Sequence, residues 1–130
     1  MIYVDTSAFY AIFDQDDANH PRAQKAWTSL IEDQEDMVCN NYVLVETYAL
    51  LQNRLGMRAV ADLQSILPLI QIDWVTADQH RLAAAALLSA HLRALSLVDC
   101  SSFESMRRLG IEKAFAFDNH FRQQGFELVA

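Results

Sequence analysis

The sequence predicts an α/β fold, a doubly wound parallel sheet with helices on both faces. Three observations carry that prediction. Short apolar runs rich in β-branched and aromatic residues alternate with longer stretches of helical period along the whole chain, which is the order of βα units. Acids stand at the ends of such runs, at Asp5, Asp99 and Asp118, where open α/β sheets collect their ligands. No internal repeat or linker interrupts the pattern, so residues 1–130 read as one domain, long enough to bury one core.

Taken in order, Ile2 to Val4 reads as a buried strand. It ends in Asp5-Thr6-Ser7 and passes into a helical stretch, Ala8 to Phe13. Asp5 at a strand tip is a site signal, and its plain structural alternative is that Asp5 or Ser7 caps the next helix. Asp14-Gln15-Asp16-Asp17 has the look of a calcium loop but fails, because the sixth position is Asn19 instead of Gly and the twelfth is Lys25 instead of Glu. Asn19-His20-Pro21 starts a helix whose apolar stripe is Ala23, Ala26, Trp27, Leu30 and Ile31; with no His or Cys partner nearby, His20 is a helix-start residue. Met37-Val38-Cys39 is the second strand.

Asn41 to Leu55 forms a strong helix closed by Gly56. Within it Glu46 shares a stripe with Val43, Ala49 and Leu50, and a carboxylate buried there needs a cation or a proton, unless it snorkels at the stripe's margin. Met57 to Leu67 is a further helix ending near Pro68, and Ile70 to Val75 a third strand whose last part is loop. Asp78 is expected to cap a helix reaching Leu92, with Leu82, Ala83, Ala86, Leu87 and Ala90 as its packing side. Leu95 to Asp99 brings the next acid after a short apolar run, and a helix follows to Arg108 before Gly110. Ser101 and Glu104 have capping-box spacing, which would free Asp99 to point elsewhere; Asp99 as an ordinary helix-start acid is the alternative. Lys113 to Asp118 is again a strand ending in an acid, followed by a short helix to Gly125 and a closing strand, Phe126 to Val129.

The net charge of −7 argues at first against a nucleic-acid partner. Its distribution weakens that argument. Seven acids lie between Asp14 and Asp36, a solvated acidic face, whereas Arg54, Arg58, Arg81, Arg93, Arg107, Arg108, Lys113 and Arg122 all follow later. Bound divalent cations would also offset clustered carboxylates. Cys39 and Cys100 lack metal-type spacing and read as thiols. With no 18-residue apolar span and no signal-peptide pattern, the expectation is a cytoplasmic protein without a membrane segment.

Four carboxylates therefore stand out: Asp5, Glu46, Asp99 and Asp118. If they converge, repulsion raises their pKa values, and hard divalent cations relieve it. An all-oxygen set suits Mg²⁺ or Mn²⁺ better than Zn²⁺, and such ions serve phosphodiester cleavage.

Asp5-Thr6-Ser7, Glu46 within Leu44 to Leu51, Leu95 to Phe103 around Asp99, and Phe117-Asp118-Asn119-His120-Phe121-Arg122 together resemble the PIN-domain nucleases, and within them the VapC-type toxins and their stand-alone relatives. The resemblance spans nearly the whole chain and rests on four short motifs in order, each weak alone. It implies an α/β/α sandwich with a five-stranded parallel sheet and a Mg²⁺- or Mn²⁺-dependent ribonuclease leaving 5′-phosphate and 3′-hydroxyl ends. It also implies Asp5 and Asp99 as the principal metal ligands, with Asp118 and Glu46 completing the acidic pocket, Thr6 supporting them from behind and Ser7 starting the following helix. RNA as substrate, a small antitoxin in the groove and a homodimer are the implied partners. The chain departs from the family at Ala116, where a Thr or Ser often stands two residues before the fourth acid. Two alternatives stay open: a catalytically silent PIN-like binding module, and a phospho-receiver switch, which would need a Lys at the end of its fifth strand.

Overall fold

The computed structural model describes residues 1–130. In chain order the elements are β1 (Ile2–Val4), α1 (Thr6–Phe13), α2 (His20–Glu32), β2 (Met37–Asn40), α3 (Asn41–Leu55), α4 (Met57–Ile66), a 3₁₀ turn (Leu67–Leu69), β3 (Ile70–Asp73), α5 (Ala77–Ala90), α6 (Leu97–Leu109), β4 (Lys113–Phe115), α7 (His120–Gln123) and β5 (Glu127–Val129). The five strands form one sheet in the order β3-β2-β1-β4-β5, and every pairing is parallel. The expected α/β/α architecture is thus observed.

The strand order reverses between β1 and β4. Helices α1 to α4 pack on one another, α5 packs on α6, and α6 lies on β2. Right-handed crossovers put these two groups on opposite faces of the sheet. The crevice at the carboxyl ends of β1 and β4 is therefore the topological switch point, where such sheets bind ligands. Register fixes what lines it: Val4 pairs with Phe115, so Asp5 and the Ala116-Phe117-Asp118 segment emerge side by side.

β1 is buried on both faces, which is why Ile2-Tyr3-Val4 is an unbroken apolar run instead of an alternating one. One core cluster joins β1, β2 and β4 to all the larger helices, with Tyr3, Phe9, Leu51, Leu63, Met106 and Phe115 among its fully enclosed side chains. Its polar members are paired. The Tyr3 hydroxyl donates to Ser102 Oγ at 2.9 Å. Asn40, wholly enclosed, accepts from Val43 N at 2.9 Å as the cap of α3 and donates to Ser101 Oγ at 3.0 Å and Ser105 Oγ at 3.3 Å on α6.

Several boundaries differ from the sequence expectation, each for a local hydrogen-bonding reason. α5 is capped by Thr76 with Gln79 in a reciprocal capping box; Asp78 lies inside the first turn and pairs with Arg81. The helix stops at Ala90 because His91 takes a left-handed conformation, φ 52°. Of its expected packing side, Ala83 is buried and Leu87 and Ala90 pack against the core, whereas Leu82, 60% exposed, and Ala86 face solvent. α6 begins at Leu97, before the expected Ser101–Glu104 box. Ser96 is its cap and Asp99 its third residue, while Ser101 turns its hydroxyl back to Val98 O at 2.7 Å. β3 ends at Asp73, and Trp74 beyond it is exposed.

Candidate active site

Asp5 leaves β1 and caps α1. Its Oδ2 accepts from Ser7 N at 3.1 Å and from the Ser7 hydroxyl at 2.6 Å. The capping alternative is thus correct for Asp5, and it does not compete with a place in the crevice, since the N-cap of α1 lies at the switch point. Ser7 sits in the first turn of α1, one residue past its start at Thr6, and its Oγ also accepts from Phe117 N at 2.9 Å. The tips of β1 and β4 are thereby tied together, with Asp5 N donating to Phe115 O at 3.0 Å.

Asp99 stands in the first turn of α6, where its carboxylate closes the capping box on Ser96 N at 3.0 Å. Asp118 follows β4, and its Oδ1 accepts from His120 N at 2.9 Å. That two-residue turn swings the His120 ring inward. Nδ1 of His120 then lies 3.0 Å from Asp118 Oδ1 and 3.9 Å from Asp99 Oδ2. Donor atoms of Asp99, Asp118 and His120 all fall within 4.8 Å of one another.

Asp5 and Glu46 stand outside that tight trio but share its field. Burial is the main cause that pushes the Asp5 carboxyl up to about 6; the Ser7 bonds oppose it, and the charges of Asp99 and Asp118 add to it. Asp99 is raised chiefly by burial, with Asp118 contributing and the Ser96 backbone bond and His120 opposing. Glu46 is likewise raised by desolvation first, then by Asp99 and Asp118, against a favourable hydroxyl at Thr6. No Lys or Arg lies within 4.0 Å of any of the four carboxylates.

Glu46 is exposed on α3, contrary to the expectation of a buried stripe position. The buried face of α3 is Val43, Leu44, Thr47 and Leu51, and Val45, Glu46 and Ala49 turn to solvent. Thr47 is enclosed because its hydroxyl is satisfied, donating to Val43 O at 2.7 Å and meeting Thr6 Oγ1 at 3.0 Å. The same Thr6–Thr47 contact fixes α1 against α3 below Glu46. Ala116 is buried and brings no hydroxyl to the crevice.

His120 is the residue that the sequence reading passes over. Its signal was its position two residues after a strand-tip acid, which only the turn at Asp118 makes meaningful. Nδ1 is buried and has no hydrogen-bond partner: Asp118 Oδ1, though close, is off the line of a ring N–H. An orphaned nitrogen facing two carboxylates, in a pit without a basic side chain, is a donor set suited to a divalent cation.

The sequence profile of the PIN domain matches residues 2–127. The 23S rRNA-specific endonuclease VapC20 of Mycobacterium tuberculosis is 38% identical over 128 residues, spanning 97% of this chain and 95% of that protein. The crystal structure of Mycobacterium tuberculosis VapC20, a Sarcin-Ricin loop cleaving toxin, matches with a TM-score of 0.87 at 36% identity, over 97% of this chain and 96% of that one. FitAcB from Neisseria gonorrhoeae matches at TM-score 0.72 and 18% identity over 100% and 97% of the two chains, a likeness of fold. A profile match over nearly all residues and a relative of this identity leave one assignment: the chain belongs to the PIN domain family.

Proposed function

We propose that this chain is a divalent-metal-dependent endoribonuclease of the toxin type, acting on RNA phosphodiester bonds. The observation that carries the reading is the crevice itself: the buried carboxyls of Asp5 and Asp99 and the half-buried one of Asp118 share one field at the switch point, with no Lys or Arg within 4.0 Å to balance them. The identity with an rRNA-specific endonuclease supports RNA as the substrate class.

In this reading Asp5, Asp99 and Asp118 hold the cation and Glu46 faces it from the solvent side. Mg²⁺ or Mn²⁺, when bound, supplies an activated water and charge stabilisation at the scissile phosphate. Thr6 and Ser7 keep the acids in register, Ser7 through its bonds to Asp5 and to Phe117 N. Arg22 and Arg122 line a cavity of about 260 Å³ with Asn19, Phe117 and Asn119, the last two being the chain neighbours of Asp118. The Arg122 guanidinium offers the RNA backbone a phosphate contact on an otherwise acidic molecule, while Arg22 is tied to the Ala130 carbonyl at 2.6 Å and lies over the Phe117 ring. Target choice then depends on groove shape. A small antitoxin and self-association into a homodimer complete the proposed partners.

A silent binding module remains the second reading, favoured by one observation, the missing hydroxyl at Ala116. A receiver switch loses its footing, since Lys113 opens β4 at the end of the sheet remote from the acids. Incubating purified protein with mixed RNA across Mg²⁺ and Mn²⁺ titrations tests the proposal: cation-dependent internal cleavage, abolished by Asp99→Asn, is expected. A folded protein that cuts RNA at no concentration of either ion favours the silent module.

A further inference from the structure

We infer that His120 is a nitrogen ligand of the cation held by Asp99 and Asp118, and that it biases the site toward Mn²⁺ over Mg²⁺. The inference rests on the metal-site reading above and adds a donor that the acid motifs do not contain. Three features of the structure carry it.

The first is placement. The turn in which Asp118 accepts from His120 N brings ring and carboxylate to the same side of the chain, and Nδ1, Asp99 and Asp118 offer donor atoms within 4.8 Å of one another. The second is spacing. Two ligands cis to one another on an octahedral ion, each about 2.1 Å from it, lie about 3.0 Å apart; His120 Nδ1 and Asp118 Oδ1 are 3.0 Å apart. A histidine merely bracing Asp118 would aim its N–H along that line, and this one does not. The third is the state of Nδ1, enclosed and without a hydrogen-bond partner. A buried polar atom left unsatisfied is costly, and coordination through its lone pair, with the ring proton on Nε2, removes that cost.

The consequence is selectivity. Mg²⁺ demands oxygen ligands and retains its water, whereas Mn²⁺, though also at home among carboxylates, opens the transition-metal series in which nitrogen donors add affinity. With one imidazole beside two carboxylates, the site should hold Mn²⁺ at least about tenfold more tightly than the same site without the nitrogen.

The test uses the purified full chain and the metal alone. Mn²⁺ is titrated in, and pulsed electron paramagnetic resonance reads ¹⁴N coupling to the bound ion; competition with Mg²⁺ gives the preference. The expected result is coupling from one imidazole in the parent, lost in His120→Gln, together with a fall of about tenfold or more in the Mn²⁺-to-Mg²⁺ ratio while Mg²⁺ still binds. Mn²⁺ bound without ¹⁴N coupling in the parent overturns the inference and leaves the acid site standing, and this measurement holds even if His120→Gln fails to fold. Coupling or preference that survives in His120→Gln overturns it as well, making His120 a positioning residue for Asp118. If the parent binds neither ion, the metal-site reading itself fails and the inference with it.

Discussion

Replacing Asp5 by Asn strikes the acidic crevice where it is most deeply buried. Asp5 is 4% exposed, and its carboxyl is pushed from 3.8 to about 6 by burial first and by Asp99 and Asp118 in addition. A carboxyl whose pKa is higher in the folded than in the unfolded chain binds its proton more tightly when folded. Its contribution is therefore most favourable below the unfolded value of 3.8 and is lost as pH rises through about 6. At neutral pH without metal, the ionised group costs the fold about 3 kcal/mol. Asn keeps an oxygen for the Ser7 N and Oγ donors but weakens those bonds, so the net gain in Asp5→Asn should be about 1–3 kcal/mol, or roughly 3–10 °C in Tm at pH 7.5 with chelator present. At pH 4 the gain should vanish. In Mg²⁺ the same variant should cleave RNA at least roughly 100-fold more slowly and gain less stability from the ion than the parent does. Thermal melts at the two pH values, paired with a cleavage assay, decide the matter. A variant less stable than the parent at both pH values, or one that cuts RNA at the parent rate, would refute the reasoning.

Ser7→Ala removes the hydroxyl that donates to Asp5 at 2.6 Å and accepts from Phe117 N at 2.9 Å. It should cost about 1–3 kcal/mol in urea melts and weaken Mn²⁺ binding about tenfold in calorimetry. Asn40→Ala leaves Val43 N and the hydroxyls of Ser101 and Ser105 without their partner inside the core. Its expected cost is about 2–4 kcal/mol, and a Tm within a degree of the parent would contradict the hub role. Arg122→Ala should lower RNA affinity and flatten the dependence of log K on log salt by about 1, with kcat at saturating RNA unchanged, as filter binding at several salt concentrations would register.

The sheet was legible because its central strands carry their own signal. Ile2-Tyr3-Val4 and Met37-Val38-Cys39 are buried on both faces, so each reads as an unbroken apolar run whatever its neighbours do. Glu46 shows where that logic stops. The helical period of α3 was right, but its phase was not, because a fully enclosed Thr47 belongs to the buried face and apolar Ala49 does not. Its hydroxyl is satisfied within the helix by Val43 O and across it by Thr6, 41 positions away, and so a threonine is cheap to bury there. His120 was invisible for a related reason: its reach into the crevice depends on a turn closed by the Asp118 side chain.

The misjudged start of α6 leads to the physical core of the site. The Ser101–Glu104 spacing would have freed Asp99, yet the box forms one turn earlier, between Ser96 and Asp99, so the helix-start alternative holds and the same carboxylate borders the crevice. Asp5 does likewise at the start of α1, and Asp118 accepts the backbone N–H of His120 as α7 begins. Three of the four acids are thus held by backbone N–H groups at helix starts, where unpaired donors and the positive end of the helix favour negative charge. This is how a chain with no Lys or Arg at the site can fold around mutually repelling carboxylates before a cation arrives. It is also why the strand-tip position and the capping position, which looked like rival readings of Asp5 and Asp99, are one arrangement.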